Sequence, residues 1–438
     1  MSIFPRICLK PEVAEHLKSV FLNKEVRISH QEVEHRFQNL LLCLSHPPLH
    51  TCVRASTHLA PLEEIRSKLQ EELSQVKLSP ILSHPQVPDV LLLPVDGPRY
   101  VRNPEVVVGA QCGNAVLRGA HVFAPGIVAS PKYMKVGDVV SVFSDLEGRC
   151  TRGALSFQGN KVFVGNGVAE MDRSKINNIL SSVGVRMVEP LYRSPSFDGV
   201  LPSLAFLQNF PSVVVGHVLG PRPGERILDM CAAPGGKTCH IAALMGDQGE
   251  VVALDRIRNK IARIRQNAET LQLQSIKAYC FNGIQAVSRP PFPPESFDRV
   301  LLDAPCSGLG QRPTMASTWS LKEICSYPPL QRKLFHAAVR LLKKGGVLVY
   351  STCTVTLAEN EEQVAWALSS FPCLTLQQQE PHIGAEGMLG AGLSCEQLRL
   401  LQRFSPELSW DQTDASVPLQ CRADRDTIGF FIAKFLKS

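Results

Sequence analysis

The chain has 438 residues, 44% of them hydrophobic, and carries a formal charge of +6 with a pI near 8.6. That is enough apolar material for two or three domains, and a mildly basic balance that permits a nucleic-acid partner without demanding one. No run reaches the roughly 18 apolar residues needed to cross a bilayer, and residues 1–10 contain no apolar signal-peptide core, so a soluble cytoplasmic protein without a membrane role is expected. The 14 scattered cysteines show none of the paired short spacings of structural zinc sites, so free thiols and no metal are expected.

In chain order, residues 11–21 and 30–43 read as helices. A strand is expected at 51–57. Pro61 then opens a helix whose Leu62, Ile65, Leu69, Leu73 and Val76 share one face, and 90–95 reads as a returning strand. Strand, helix and strand predict a small βαβ-like unit within residues 1–98.

From residue 99 to 172 the pattern changes to short β-type runs separated by glycine turns, such as 120–128 and 136–143, which predicts a compact inserted β-barrel. The strings Gly119-Ala-His-Val-Phe-Ala-Pro-Gly-Ile127, Val136-Gly-Asp-Val-Val-Ser-Val142 and Gly165-Asn-Gly-Val168 occur in order. In these strings the segment resembles the PUA domain of RNA-modifying enzymes, which implies an RNA-binding role.

Residues 174–183 read as a helical joint, and 202–219 lead into the last region. From Glu225 onward, apolar strands at 227–230, 251–254, 278–281, 300–302 and 347–350 alternate with helices at 237–245, 256–271, 330–342 and 360–368. Such alternation predicts an α/β fold with a parallel, doubly wound, Rossmann-like sheet across 173–438. Residues 289–294 form a proline-rich loop, 427–435 are expected to close the sheet, and 374–421 carry too weak a pattern to assign.

The first turn of that sheet is Cys231, Ala232, Ala233, Pro234, Gly235, Gly236, Lys237 and Thr238, a glycine-rich loop that opens a helix and marks a nucleotide-like site. A phosphate-binding P-loop needs glycine where Cys231 stands, and a dinucleotide fingerprint needs three spaced glycines where only Gly235 and Gly236 occur. S-adenosylmethionine, which carries no phosphate and asks only for close backbone approach, fits better. Asp255 ends the second strand, where it can accept from both ribose hydroxyls. Asn282, at the end of the third, can address an adenine edge as donor and acceptor.

Two further strands stop at thiols: Leu301 to Gly308 reads LLDAPCSG, with Asp303 and Cys306, and Val347 to Thr354 reads VLVYSTCT, with Cys353. Ligands of open α/β sheets collect at such strand ends, so both thiols and the Asp303 carboxylate are expected in one crevice. This set suits methylation of a pyrimidine at carbon 5. A thiolate added at carbon 6 turns the ring into an enamine whose carbon 5 can take a methyl group. Asp303 would address the ring edge, and the second thiol would sit near the departing proton. Lys237 is the cation available to favour a thiolate. The chemistry leaves open which cysteine attacks.

The run Ile227-Leu-Asp-Met-Cys-Ala-Ala-Pro-Gly-Gly-Lys-Thr238, with Asp303-Ala-Pro-Cys-Ser-Gly308, Tyr350-Ser-Thr-Cys-Thr354 and Glu359-Asn-Glu361, resembles the Sun (Nop2/Sun) family of RNA cytosine-5 methyltransferases. With the PUA-like insert, the chain is similar to the branch that modifies the acceptor end of transfer RNA. The resemblance implies Cys353 as nucleophile and Cys306 as the thiol that aids release. It implies S-adenosylmethionine contacts from Cys231 to Lys237 and at Asp255, position 282 and Asp303, with Lys237 and Asp303 also facing the base. The family usually has aspartate at position 282, so the neutral Asn282 predicts weaker cofactor binding. Arg118, Lys132, Lys135, Arg149, Arg152 and Lys161 are candidates for phosphate contact, whereas Arg256, Arg258, Lys260, Arg263 and Arg265 read as a solvated helix face. The resemblance points to a cytosine beside the CCA tail of a tRNA, bound by a monomer. Ribosomal or messenger RNA is the alternative substrate, and a catalytically silent RNA-binding protein the alternative class.

Overall fold

A computed structural model describes the whole chain except residues 1–6, 23–24, 26–27, 75–79, 96–103, 177–180, 193–196, 198, 287–291, 315–318 and 407–422. Helices form at Pro11–Lys18 and His30–Ser45. Ser29 caps the second by accepting the Glu32 amide, and its apolar stripe, including Val33, Phe37, Leu40 and Leu44, is buried. Phe37, Leu40 and Leu44 pack with Leu309, Ile324 and Val355, so this helix leans on the C-terminal domain rather than standing apart from it.

The expected βαβ-like unit is corrected in one respect. Strands His50–Ala55 and Val90–Pro94 are neighbours but antiparallel, with Cys52 opposite Leu92. After helix Leu62–Glu72 the chain first forms the two-residue strand Leu82–Ser83, which is antiparallel to Val90–Pro94 and therefore runs parallel to His50–Ala55. Val90–Pro94 then inserts between the two. Val76 lies outside the described residues. The other edge of His50–Ala55 pairs with Ala205–Leu207, so this small sheet is completed by residues that follow the β unit.

The β unit is a six-stranded sheet in the order Val122–Phe123, Val183–Pro190, Lys161–Ala169, Val139–Asp145, Glu105–Gly109, Ile127–Ala129. Its expected run at 120–128 is broken by a turn at Ala124–Gly126. Helix Ala110–Leu117 buries Val116 and Leu117 in the core. Gly165 sits where φ is +145° and an added Cβ would lie 2.6 Å from Pro190 Cα, so the strands cross there only because the side chain is absent. The helical joint expected at 174–183 is helical only over Arg173–Ile176 among the described residues. Val183–Pro190 is a strand on Lys161–Ala169, and the sheet therefore reaches beyond residue 172, where the unit was expected to end.

In the C-terminal domain five parallel strands run in the order Ile276–Cys280, Glu250–Asp255, Arg226–Asp229, Phe297–Asp303, Leu342–Thr352. Alternate residues bury on opposite faces: Leu228, Val300 and Leu348 in one core, Ile227, Leu301 and Val349 in the other. Strand order reverses between Arg226–Asp229 and Phe297–Asp303, which opens a crevice at their carboxyl ends. The last strand, Phe430–Lys437, departs from the parallel expectation. It runs antiparallel between Leu342–Thr352 and Leu374–Leu376, and Gln402–Phe404 also pairs with it. Among the described residues no helix is long and apolar enough to cross a membrane.

Candidate active site

The turn after Arg226–Asp229 is held by backbone bonds to both neighbouring strands, Met230 N to Leu301 O at 3.0 Å and Ala232 N to Leu254 O at 2.9 Å. Gly235 takes φ +104° as the residue before helix Gly236–Leu244, a conformation that disfavours side chains. Asp229 is buried, and its Oδ2 accepts from Thr238 Oγ1 at 2.7 Å. Its Oδ1 has no hydrogen-bond partner among the described residues. Burial pushes this carboxyl up to about 7 against the Thr238 hydrogen bond, and nearby Asp303 adds to the rise. Burial, reinforced by Asp229, likewise keeps the Cys231 thiol well above its ordinary range, so Cys231 is a neutral wall residue.

A cavity of about 390 Å³ lies against this loop, with Asp229, Cys231, Lys237 and Asp303 on one wall and His50, Phe206 and Arg312 on another. Asp255 and Asn282 stand outside that lining, at the next two strand ends. Asp255 Oδ1 accepts from Ile257 N at 2.8 Å and Asn282 Oδ1 from Ile284 N at 3.2 Å, so each caps the turn that follows it. The parts suit a phosphate-free nucleoside ligand. There is a helix N-terminus, a strand-end carboxylate and a buried carboxylate oxygen.

Because Phe297–Asp303 and Leu342–Thr352 pair in parallel, with Asp303 opposite Ser351, the residues just past their ends converge. Cys306 Sγ lies 3.4 Å from Cys353 Sγ. Asp303 Oδ2 accepts from Lys237 Nζ at 2.8 Å, and its Oδ1 accepts from Ser351 Oγ at 2.7 Å. Burial works against the Lys237 ammonium, but Asp303 outweighs it and holds the lysine above its ordinary value. The thiols are unequal. The hydrogen bond shared with Cys306 lowers Cys353 in spite of burial, with help from Gln311 and Lys237 and against Asp303. Cys306 is driven well above its ordinary range by that same shared bond, by burial and by Glu359. The pair is therefore polarised toward a thiolate at 353 and a thiol at 306.

Sequence reasoning did not assign a role to Glu359, which is fully buried between the two thiol loops. It accepts from Ser307 N at 2.9 Å, Ser307 Oγ at 2.6 Å, Thr356 Oγ1 at 3.0 Å and Gln331 Nε2 at 3.2 Å. Gln331 also donates to Pro305 O at 2.9 Å, and Asn360 Nδ2 to Thr354 O at 3.0 Å. One knot thus fixes both cysteine loops. The acid-amide-acid string at Glu359 to Glu361 was its visible signal. Among the basic residues, Lys161 pairs with Glu105 and Arg149 with Glu147, while Arg118, Lys132, Lys135 and Arg152 are exposed.

The sheet and its loop define the class, a Rossmann-like S-adenosylmethionine-dependent methyltransferase with an inserted RNA-binding-type β domain. A family model described as 16S rRNA methyltransferase RsmB/F matches residues 216–436, and a PUA domain model matches 104–191, close to the span of the six-stranded sheet. The chain is 59% identical to the tRNA (cytosine(72)-C(5))-methyltransferase NSUN6 of Homo sapiens, over 100% of this chain and 99% of that protein. It is 31% identical to the tRNA (cytosine(72)-C(5))-methyltransferase of Pyrococcus horikoshii, over 97% and 96%. A crystal structure of NSun6 from Pyrococcus horikoshii with SFG superposes with a TM-score of 0.78 at 28% identity, covering 99% of each chain. The protein belongs to the Sun family of RNA cytosine-5 methyltransferases, which take S-adenosylmethionine as methyl donor.

Proposed function

We propose that this protein methylates carbon 5 of cytosine 72 in the acceptor stem of tRNA, beside the CCA end, through a covalent bond from Cys353. The observation that carries the reading is the thiol pair, 3.4 Å apart beside the Lys237–Asp303 ion pair. Cys353, the more acidic thiol, adds to carbon 6 and makes carbon 5 nucleophilic. S-adenosylmethionine, held by the loop from Cys231 to Lys237 with Asp255, Asn282 and Asp303, supplies an electrophilic methyl group when bound. Lys237 and Asp303 hold the nitrogen and carbonyl edge of the base. Cys306, as its thiolate, takes the carbon 5 proton; the electrons of that bond re-form the carbon 5–carbon 6 double bond, and Cys353 leaves as a thiolate.

A stem cytosine must leave its stack to reach these thiols, which favours a target at a stem end. The PUA domain, with Arg118, Lys132, Lys135 and Arg152 exposed, would grip the CCA tail, and a cytoplasmic monomer without a metal completes the reading.

Incubation of the Cys306→Ser protein with a tRNA transcript ending in CCA and S-adenosylmethionine is expected to leave a covalent protein–RNA adduct on a denaturing gel. Cys353→Ala is expected to give neither adduct nor methylated product. Turnover by Cys353→Ala would overturn the mechanism. Equal turnover on transcripts lacking CCA, or on ribosomal RNA fragments, would overturn the substrate.

A further inference from the structure

Two side chains of the N-terminal unit hold the helix that carries Lys237, and neither lines the cavity of the proposed reaction. Arg54, within His50–Ala55, is only 2% exposed. Its Nη1 donates to the backbone oxygen of Gly236 at 2.6 Å and also to Gln208 Oε1. Its guanidinium stacks 4.8 Å from the centre of the Phe206 ring. Phe206 in turn is the closest neighbour of Gly236, where an added Cβ would stand 3.2 Å from the ring. One turn along the same helix, His240 Nε2 lies 2.7 Å from Asp89 Oδ2, while His217 Nε2 lies 2.7 Å from Asp89 Oδ1. Gly236 and His240 are four residues apart, so both grips fall on one helix face. Asp89, His217 and His240 also have the spacing of a metal site. Each oxygen of Asp89, however, is already engaged by one imidazole, and the cluster acts as a hydrogen-bonded anchor.

The arrangement is unfavourable for stability alone. Burial pulls Arg54 down to about 10, and a cation beside the first turn of a helix opposes the helix dipole. An interface that only needed packing is served as well by an apolar side chain. Groups placed against local preference in this way collect at functional sites.

We propose that Arg54 is a positioning residue for the methyl donor. By fixing the Gly236 carbonyl it sets the first helical turn, so that the glycine loop stands in binding geometry before the donor arrives, while Asp303 holds the Lys237 ammonium independently. Asp89 fixes the rotation of the helix about its axis. The N-terminal unit is therefore part of the donor site without touching the donor. The inference rests on the reading of Cys231 to Lys237 as the donor loop.

The test titrates S-adenosylmethionine into the full-length protein and measures kcat and both KM values on a tRNA transcript. Arg54→Met keeps the length of the side chain and removes its donors. It is expected to raise Kd and KM for S-adenosylmethionine about tenfold, with kcat and the KM for tRNA within about twofold. Arg54→Lys is expected to recover part of the loss. If Arg54→Met does not fold, Arg54→Gln, which shortens the side chain and keeps a single amide donor, is expected to raise the same constants about threefold. Unchanged donor affinity in the folded variant overturns the proposal, as does a parallel loss of donor affinity, tRNA affinity and kcat. Gly235→Val separates the two readings. If it binds the donor as well as the unaltered protein, the loop assignment falls and the role of Arg54 with it. If it binds poorly while Arg54→Met binds normally, only the role of Arg54 falls.

Discussion

Removing the Cys306 sulfur is expected to make Cys353 a poorer nucleophile even before RNA binds. The bond that Cys306 and Cys353 share across 3.4 Å is the largest influence lowering Cys353. A hydrogen bond to a charged acceptor contributes about 1.5–3 kcal/mol, and a sulfur donor at this separation falls below that range, at about 1 kcal/mol. That energy corresponds to about a fivefold change in the ratio of thiolate to thiol. Gln311 and Lys237 remain in Cys306→Ala, so the thiolate is weakened rather than lost. The assay is alkylation of Cys353 by iodoacetamide across pH, followed peptide by peptide by mass spectrometry so that the other cysteines do not interfere. Cys306→Ala should react about fivefold more slowly at fixed pH near neutrality, with its profile displaced to higher pH. Cys306→Ser keeps a donor and should fall between the two. An equal or faster rate in Cys306→Ala would refute the argument, as would preferential labelling of Cys306 in the unaltered protein.

Asn282→Asp keeps the cap on the Ile284 amide and adds a charge, so S-adenosylmethionine should bind about fivefold more tightly by calorimetry; unchanged or weaker binding counts against the contact. Asp229 is raised in the folded state from an ordinary 3.8 to about 7, so the folded protein binds the extra proton between those values. Its contribution to stability is full below pH 3.8, declines as pH rises through 7, and is on the order of 4 kcal/mol in total. Asp229→Asn should therefore flatten the fall in urea midpoint between pH 4 and pH 8, and equal slopes in both proteins would refute it. Glu359→Gln puts an amide among the donors of Ser307, Thr356 and Gln331 and should cost about 3 kcal/mol or more in urea unfolding. A cost under about 1 kcal/mol would mean that this carboxylate does not tie the thiol loops.

The catalytic sheet was legible because its strands are continuous apolar runs, and the positions of Cys306 and Cys353 at adjacent strand ends follow from the alternation of strand and helix. What the residues alone left open, which sulfur is the more acidic, depends on Gln311, Lys237 and Glu359, groups brought together only by folding. The Glu359 knot joins Ser307, 52 positions away, and Gln331, 28 positions away, so no local pattern contains it. The direction of Val90–Pro94 was misread because Leu82–Ser83 and Ala205–Leu207 are too short to show a period of two. No local pattern marks Arg54. Its burial comes from Phe206 and Gly236, which arrive after the PUA insert. Asp255 and Asn282 were singled out by position alone, as the ends of the second and third strands.

The PUA domain leaves the small sheet at Pro94 and returns at Ala205, on strands that flank His50–Ala55 from either side and run parallel to one another. It therefore serves as the crossover between two strands, whose facing ends are roughly 20 Å apart by strand spacing and rise. About six extended residues span that gap. The PUA domain is thus one long loop between two strands of a single sheet. A shortcut in its place would keep the pairing of the small sheet but remove Leu117 and Arg118, which the insert contributes to the cavity beside Lys237, so the insert and the methylation site share a wall.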